Sequence, residues 1–349
     1  MKVFHSIYDD LIRFENIYNA WSEFRLGKTD KKSVFEFEYN LEDNLFLLKT
    51  ELANLKYRHG GYERFIVNDP KRRIIHKASV RDRIVHTLVS RKLEEIYQNN
   101  FISHSFACQK DRGSHKALGV LEKMCRAQSQ NYTKNFWHLK CDIKKFFDNV
   151  SHEKMIAILR EKIKDKEFIW LIEEILKSFH CARAGVGLPL GNFTSQWLGN
   201  IYLNKLDYFV KYELRIKQFI RYADDFVILH DDKLVLKEIL TKIQEFLSEN
   251  LGLEIHKNKT TLKKFGFGIN WVGYKILPHY VILKRQAGKR SVLRLKQRRK
   301  ELDVEFAGLN AYNASVNSYL GQLNHCEGHK LSQKIKFENI VYDYLGKIF

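Results

Sequence analysis

The sequence predicts an α+β protein, with long helical stretches flanking short β elements. Three observations carry that reading. Apolar residues recur at three- and four-residue steps through the first 60 residues and again mid-chain. Compact β-rich runs are interrupted by acids near residues 142 and 224. Only three prolines, Pro70, Pro189 and Pro278, punctuate 349 residues, so long helices can run unbroken. Apolar types make up 44% and aromatics 13%, enough to bury a sizeable core and to exclude global disorder.

In chain order, Leu41, Leu45, Leu48, Leu52 and Leu55 line one face of a helix. Two β-like runs, Glu63–Val67 and Arg73–His76, flank Asn68-Asp69-Pro70-Lys71, which reads as a hairpin with a basic tip. Helical spacing returns through Ile84, Leu88 and Leu93, and again in HKALGVLEKMCR after a turn at Gly113. FWHLKCDIKKFF reads as a strand running into a turn. Ser151 is a candidate N-cap for a helix burying Met155, Ile156, Leu159 and Ile163. Gly185, Gly187, Pro189 and Gly191 mark a loop before the helical run FTSQWLGNIYLNKLDYFV. QFIRYADDFVILH reads as two strands about a tight Ala-Asp-Asp turn, followed by a helix, short strands around WVGYKI and HYVILKR, and a basic helical end.

Lys plus Arg is 60 against 41 Asp plus Glu, a net charge of +19, which points to a polyanionic partner such as nucleic acid. Five cysteines without a CxxC pair fit a reducing compartment better than a disulfide framework. His325-Cys326-x-x-His329 is a weak metal signal, because a structural zinc site needs four well-spaced ligands. No run approaches the roughly 18 apolar residues of a membrane span, and MKVFHSIYDD lacks the apolar core of a signal peptide. The expectation is a cytoplasmic protein with no membrane partner.

Asp224 and Asp225 lie between Phe219-Ile220 and Phe226-Val227-Ile228-Leu229, and Asp142 lies within Leu139-Lys140-Cys141-Asp142-Ile143. Acids inside apolar β runs are costly unless a base, hydrogen bonds or a cation compensates them. A hairpin tip that leaves Asp224 and Asp225 in water is the alternative. Two neighbouring strands that each deliver an acid can hold a pair of Mg²⁺ ions (Mn²⁺ is a possible substitute), the arrangement that phosphoryl transfer requires.

At this point the residues resemble a known family. LKCDIKKFFDNV is similar to motif A of reverse transcriptases, LPLGNFTSQ to motif B, RYADDFVIL to motif C, HKNKTTL to motif D and NWVGYKI to the primer-grip strand. VNDPKRRIIHKASVRDRIVH and SHSFACQKDRGSHKAL resemble the fingers motifs. The blocks stand in family order over roughly residues 15–330. The LGNxTSQ form of motif B, the DPKRRIIHKASVRDR block and SYLGQLNH are similar to the reverse transcriptases of diversity-generating retroelements. Those enzymes copy a template-repeat RNA with frequent errors at adenines. Gly199 departs from the Ala common in motif B, and Ala223 from the Met common in motif C. Both departures put processivity or fidelity in doubt rather than activity.

The resemblance implies a right-hand polymerase fold. N-terminal helices and fingers would span 1–135, a palm with a mainly antiparallel sheet 136–280, and a helical thumb 281–349. It implies an RNA-directed DNA polymerase acting on template RNA, RNA–DNA hybrid and dNTPs, with a small basic pentameric accessory protein as partner. Asp142, Asp224 and Asp225 become the metal-binding acids, completed by the carbonyl of Ile143. Phe147 becomes the ring that excludes a ribose 2′-OH, with Phe146 as the other candidate. Lys71, Arg72 and Arg73 suit a triphosphate, or template phosphates more generally. Lys259 is either a general acid for pyrophosphate or a solvated lysine. Leu190 stands at the usual motif B glutamine, where it either relaxes the nucleotide pocket or simply packs. Gln196 is a further nucleotide-side candidate. Tyr222, Arg294, Arg298, Arg299 and Lys300 are candidate nucleic-acid contacts, and Tyr319 and His325 candidate minor-groove contacts.

Four rivals remain open. They are a reverse transcriptase of another bacterial group (antiphage defence or intron type), an RNA-dependent RNA polymerase, a catalytically silent RNA-binding scaffold, and a generic basic DNA-binding protein. A bulky Phe147 argues against the second and the intact acids against the last two. An intron maturase would normally continue into a further domain, whereas the stretch after Tyr274 has room only for a thumb.

Overall fold

The computed structural model describes residues 2–68, 71–181, 183–304, 309–333 and 335. Four helices open the chain: α1 (Tyr8–Leu11), α2 (Phe14–Arg25), α3 (Lys32–Tyr39) and α4 (Leu41–Ala53). The leucine stripe of α4 buries Leu45, Leu48 and Leu52. Leu55, expected on the same face, lies past the helix end at positive φ and is exposed.

Strands β1 (Glu63–Val67) and β2 (Arg73–Lys77) form the expected antiparallel hairpin, with Val67 opposite Arg73. Asp69 and Pro70 of its turn lie outside the described residues. Helix α5 (Val80–Tyr97) follows, capped by the Ser79 side chain, which accepts the Asp82 N–H. Next come β3 (Ser105–Phe106), α6 (Ser114–Gln128), β4 (Trp137–Asp142) and a one-turn α7 (Phe146–Asn149). Ser151 caps α8 (His152–Arg160) as expected, by accepting the Lys154 N–H. Met155 and Leu159 are buried on α8, while Ile163 reaches the core from beyond the helix end, bridged to Phe4.

The chain continues through α9 (Lys166–Lys177), α10 (Phe193–Tyr208), β5 (Phe219–Tyr222), β6 (Asp225–His230), α11 (Lys233–Phe246) and β7 (Thr261–Lys264). Then come β8 (Ile269–Trp271), β9 (Tyr274–Leu277), β10 (Tyr280–Leu283), α12 (Arg285–Val304) and α13 (Leu309–Leu323), with residues 329–333 helical beyond them.

The central sheet has the order β3-β5-β6-β4-β7. Every pairing is antiparallel except β3 with β5. β3 comes from upstream of residue 136, so the sheet draws a strand from the N-terminal segment. The apolar run of β6 is buried on both faces. Phe226 and Ile228 join a core with α10 and the N-terminal helices, and Val227 and Leu229 join a second core with α6 and β8–β9. α12 and α13 build a small separate core around Leu295, Tyr312 and Val316. All five cysteines are free. Among the described residues no helix is long and apolar enough to cross a membrane.

One buried ion pair ties the sheet to its helices. Arg221 of β5 and Asp207 of α10 are both 0% exposed. The Arg221 Nε and Nη2 donate to the two Asp207 oxygens at 2.6 Å each. Nη2 also donates to Ser105 Oγ at 2.8 Å, and Nη1 to Asn200 Oδ1 at 3.3 Å and the Ala223 carbonyl at 3.0 Å. All the guanidinium donors are thereby used, the condition under which a buried pair is tolerated. Neither residue was singled out from the sequence. The signal was present as a base and an acid of opposite sign, each set in an apolar run.

Removing one partner strands the other charge in the core. Arg221→Leu should lower unfolding stability by about 3–5 kcal/mol. Denaturant unfolding measures it, and a loss below about 1 kcal/mol would mean the pair is not buried as described.

Candidate active site

The turn between β5 and β6 is shorter than the expected Ala-Asp-Asp. Asp225 already pairs with Tyr222 and Asp142, so only Ala223 and Asp224 lie in the bend. Such a two-residue hairpin needs positive φ, and Ala223 supplies it at 52°. A non-glycine residue there costs about 1–2 kcal/mol. The bond from Arg221 to the Ala223 carbonyl helps hold it, as does the Ala223 N–H donating to the Phe106 carbonyl at 3.3 Å.

The sheet register brings the acids together. Asp142, the last residue of β4, is opposite Asp225, the first of β6. The Ile143 N–H donates to the Asp224 carbonyl at 3.2 Å, and the His256 N–H to the Asp142 carbonyl at 2.8 Å. Burial, then the charges of Asp225 and Asp142, push the Asp224 carboxyl up to about 6. Two lysines partly offset the crowding. Lys259 Nζ donates to Asp142 Oδ1 at 2.6 Å, and Lys140 Nζ to Asp225 Oδ1 at 3.1 Å. Lys259 is exposed to solvent and at the same time ion-paired to Asp142, and Lys140 is a participant that the sequence reading missed.

Crowded carboxylate oxygens with excess negative charge are a donor set that suits a hard divalent cation. Among the described residues no three His, Cys, Asp or Glu side chains form a ready ligand group. That also covers His325-Cys326-x-x-His329, where His325 instead stacks on His115 with ring centroids 3.8 Å apart. Asp142 and Asp224 could hold Mg²⁺ in the usual way, with one or two carboxylates from the protein and the remaining ligands from water and phosphate.

A second group of candidates meets at the loop before α10. The Leu188 N–H donates to the Phe147 carbonyl at 2.7 Å. The His76 N–H donates to the Leu190 carbonyl at 2.8 Å, and Asn192 Nδ2 to the His76 carbonyl at 3.1 Å. Gly191 has φ 111°, and a Cβ there would fall 2.6 Å from Ile75 Cγ2, so glycine is what lets the hairpin seat. The loop therefore touches both Phe147 and the base of the hairpin that carries the exposed Lys71, Arg72 and Arg73. Lys145 is left-handed (φ 45°). After it, Phe146 enters the core while Phe147 stays half-buried.

The remaining candidates are dispersed. Gln196 is exposed on α10, and Tyr222 is half-buried with an edge toward Trp271. Arg294, Arg298, Arg299 and Lys300 all lie on α12, where Arg298 Nη1 donates to the Ala311 carbonyl at 3.2 Å. Tyr319 packs against the small α12–α13 core.

The burial and crowding of Asp224 have a pH signature. Its folded carboxyl titrates near 6 instead of 3.8, so the native state holds that proton more tightly than the unfolded chain. This contribution to stability is present below about pH 4 and lost as pH rises through about 6. Metal-free Asp224→Asn should therefore be more stable than the parent by about 2–3 kcal/mol near pH 8 and no different near pH 4. Denaturation at the two pH values decides it, and an equal difference at both would mean that the Asp224 carboxyl is not raised by its burial and its neighbours.

Comparison with known proteins follows the same lines. The chain is similar to a COX1/OXI3 intron 2 protein of Saccharomyces cerevisiae, at 27% identity over 62% of this chain and 31% of that protein. It is similar to the group II intron-encoded protein LtrA of Lactococcus lactis, at 32% identity over 41% of this chain and 24% of the relative. The chain thus spans about a third or less of the length of these relatives. In fold it is similar to a telomerase from Candida albicans solved with a fragment of telomeric RNA. The TM-score is 0.50 at 12% identity, covering 82% of this chain and 58% of that one. The model of the family described as reverse transcriptase (RNA-dependent DNA polymerase) matches residues 68–309, more than half the chain. With that match, and acids seated at the ends of adjacent antiparallel strands, the chain belongs to the reverse transcriptase family.

Proposed function

We propose that this chain is an RNA-directed DNA polymerase. The observation that carries the reading is the meeting of Asp142 and Asp224 at the ends of β4 and the β5–β6 turn, with Asp224 pushed up to about 6 by burial and then by its acidic neighbours. In this reading residues 1–135 supply N-terminal helices and fingers, 136–280 a palm, and 281–349 a thumb. Two Mg²⁺ ions bound at Asp142, Asp224 and the Ile143 carbonyl, with Asp225 beside them, would stabilise the attacking and leaving oxygens of nucleotidyl transfer. Lys71, Arg72 and Arg73 bind the triphosphate of a dNTP. Phe147 lies under the sugar and excludes a 2′-OH. Lys259 leaves Asp142 and gives a proton to pyrophosphate from Nζ. α12, with Arg294, Arg298, Arg299 and Lys300, follows the phosphates of template RNA and of the hybrid, helped by the +19 charge.

The finer reading is a diversity-generating enzyme that makes adenine-mutagenised cDNA with a small basic pentameric partner. Its support is the LGNFTSQ stretch, with Leu190 in place of a hydrogen-bonding side chain. A second reading, an intron-type reverse transcriptase, is favoured by the intron-encoded relatives.

Primer extension on an RNA template with Mg²⁺ tests the activity. The parent chain should extend and Asp224→Asn should fall to background while remaining folded. Full extension by the variant would remove Asp224 from the reaction.

Sequencing of the cDNA separates the subgroups. Leu190→Gln should lower misincorporation opposite template adenine by about 2- to 10-fold, the worth of one positional hydrogen bond. Equal and low adenine errors in both enzymes would favour the intron-type reading.

A further inference from the structure

Gly199 lies in the interior of α10 and is buried. A glycine there loses helix stability relative to alanine, so its presence calls for a packing reason. A Cβ on Gly199 would stand 3.1 Å from Phe146 Cε1 and 3.6 Å from both Phe146 Cζ and Phe147 Cε1. Carbon atoms in ordinary contact sit at about 3.5–4.0 Å, so the Phe146 ring would have to give way, while Phe147 would come into ordinary contact with the new carbon. The glycines inside two other helices differ: Gly119 of α6 and Gly321 of α13 meet nothing within 4 Å.

The two rings are not equally free to yield. Phe146 is 4% exposed and packed in the main core, with its ring edge-on to Phe147 at 5.1 Å between centroids. Phe147 is half-buried, and its backbone is tied to the loop by the Leu188 N–H. A push from α10 therefore falls on Phe146, which is packed in the core, and is passed on through the ring contact to Phe147, which is only half-buried.

We propose that Gly199 is a positioning residue for the Phe146–Phe147 pair, and that the missing side chain at this point in α10 sets how sharply the polymerase distinguishes deoxyribose from ribose. The proposal rests on the reading of Phe147 as the ring under the nucleotide sugar. Absence of a Cβ lets Phe146 settle against the helix and keeps Phe147 drawn back from its open side. Gly199→Ala closes that space and moves Phe147 outward by a few tenths of an ångström, tightening the room for a 2′-OH.

The experiment measures kcat/KM for a dNTP and for the matching rNTP on one primer–RNA template with Mg²⁺. Their ratio is compared in the parent, Gly199→Ala, Phe147→Ala and the double variant. The ratio should rise about threefold or more in Gly199→Ala and fall in Phe147→Ala. The double variant should match Phe147→Ala, because the glycine acts only through that ring. A ratio unchanged in Gly199→Ala but lowered in Phe147→Ala overturns the role of Gly199 and leaves the sugar-gate reading standing. A ratio unchanged in both overturns the sugar-gate reading, and the inference with it. A uniform loss of dNTP and rNTP incorporation at constant ratio marks a merely structural glycine and also overturns the proposal. Should Gly199→Ala fail to fold, Phe146→Leu replaces it. That change withdraws the ring edge from the helix, so the ratio should fall, and an unchanged ratio counts against the proposal.

Discussion

The pairing of Arg221 with Asp207 is the constraint on which the site depends. A charged pair with no exposure is tolerated only if its hydrogen bonds are complete, and here the guanidinium reaches Asp207 and Asn200 of α10, Ser105 of β3 and the Ala223 carbonyl. Those bonds fix where α10 crosses the sheet, admit β3 as a parallel strand, and clamp the left-handed Ala223. The position of Asp224 follows, because it is the next residue in a two-residue bend.

A site built this way stores unfavourable charge. Asp142, Asp224 and Asp225 converge because the register of β4 and β6 leaves them no alternative. Lys259 and Lys140 compensate two of the three, and Asp224 is left with a raised carboxyl. Such local instability is characteristic of sites designed to receive a ligand. Stability elsewhere comes from apolar strands buried on both faces between two cores.

The loop from Leu188 to Asn192 couples the other half of the site. Its backbone is bonded on one side to Phe147 and on the other to the base of the basic hairpin. α10 starts immediately afterwards and carries Gly199 beneath the two phenylalanines. Hairpin, ring pair and acids therefore share supports, so a small change in α10 can reach groups that are remote in sequence.

Local patterning in the sequence determined the element types. The leucine steps of α4, the Ser151 cap, the hairpin of residues 63–77 and the acids in apolar strands depend on neighbours a few residues apart, and such spacing is legible without a fold. The exact bend at Asp224 escaped it, since strand register decides whether Asp225 pairs or turns. Only the tertiary structure could decide the partners of the charges. Arg221 meets Ser105 from 116 residues upstream, and Lys259 meets Asp142 from 117 residues downstream. It also decided which of two adjacent phenylalanines is core, through the left-handed turn at Lys145, and it gave Gly199 a reason to lack a side chain. Each of these is settled by chains packing across long separations, where burial and charge compensation act on what is close in space and periodicity along the chain carries no record of it.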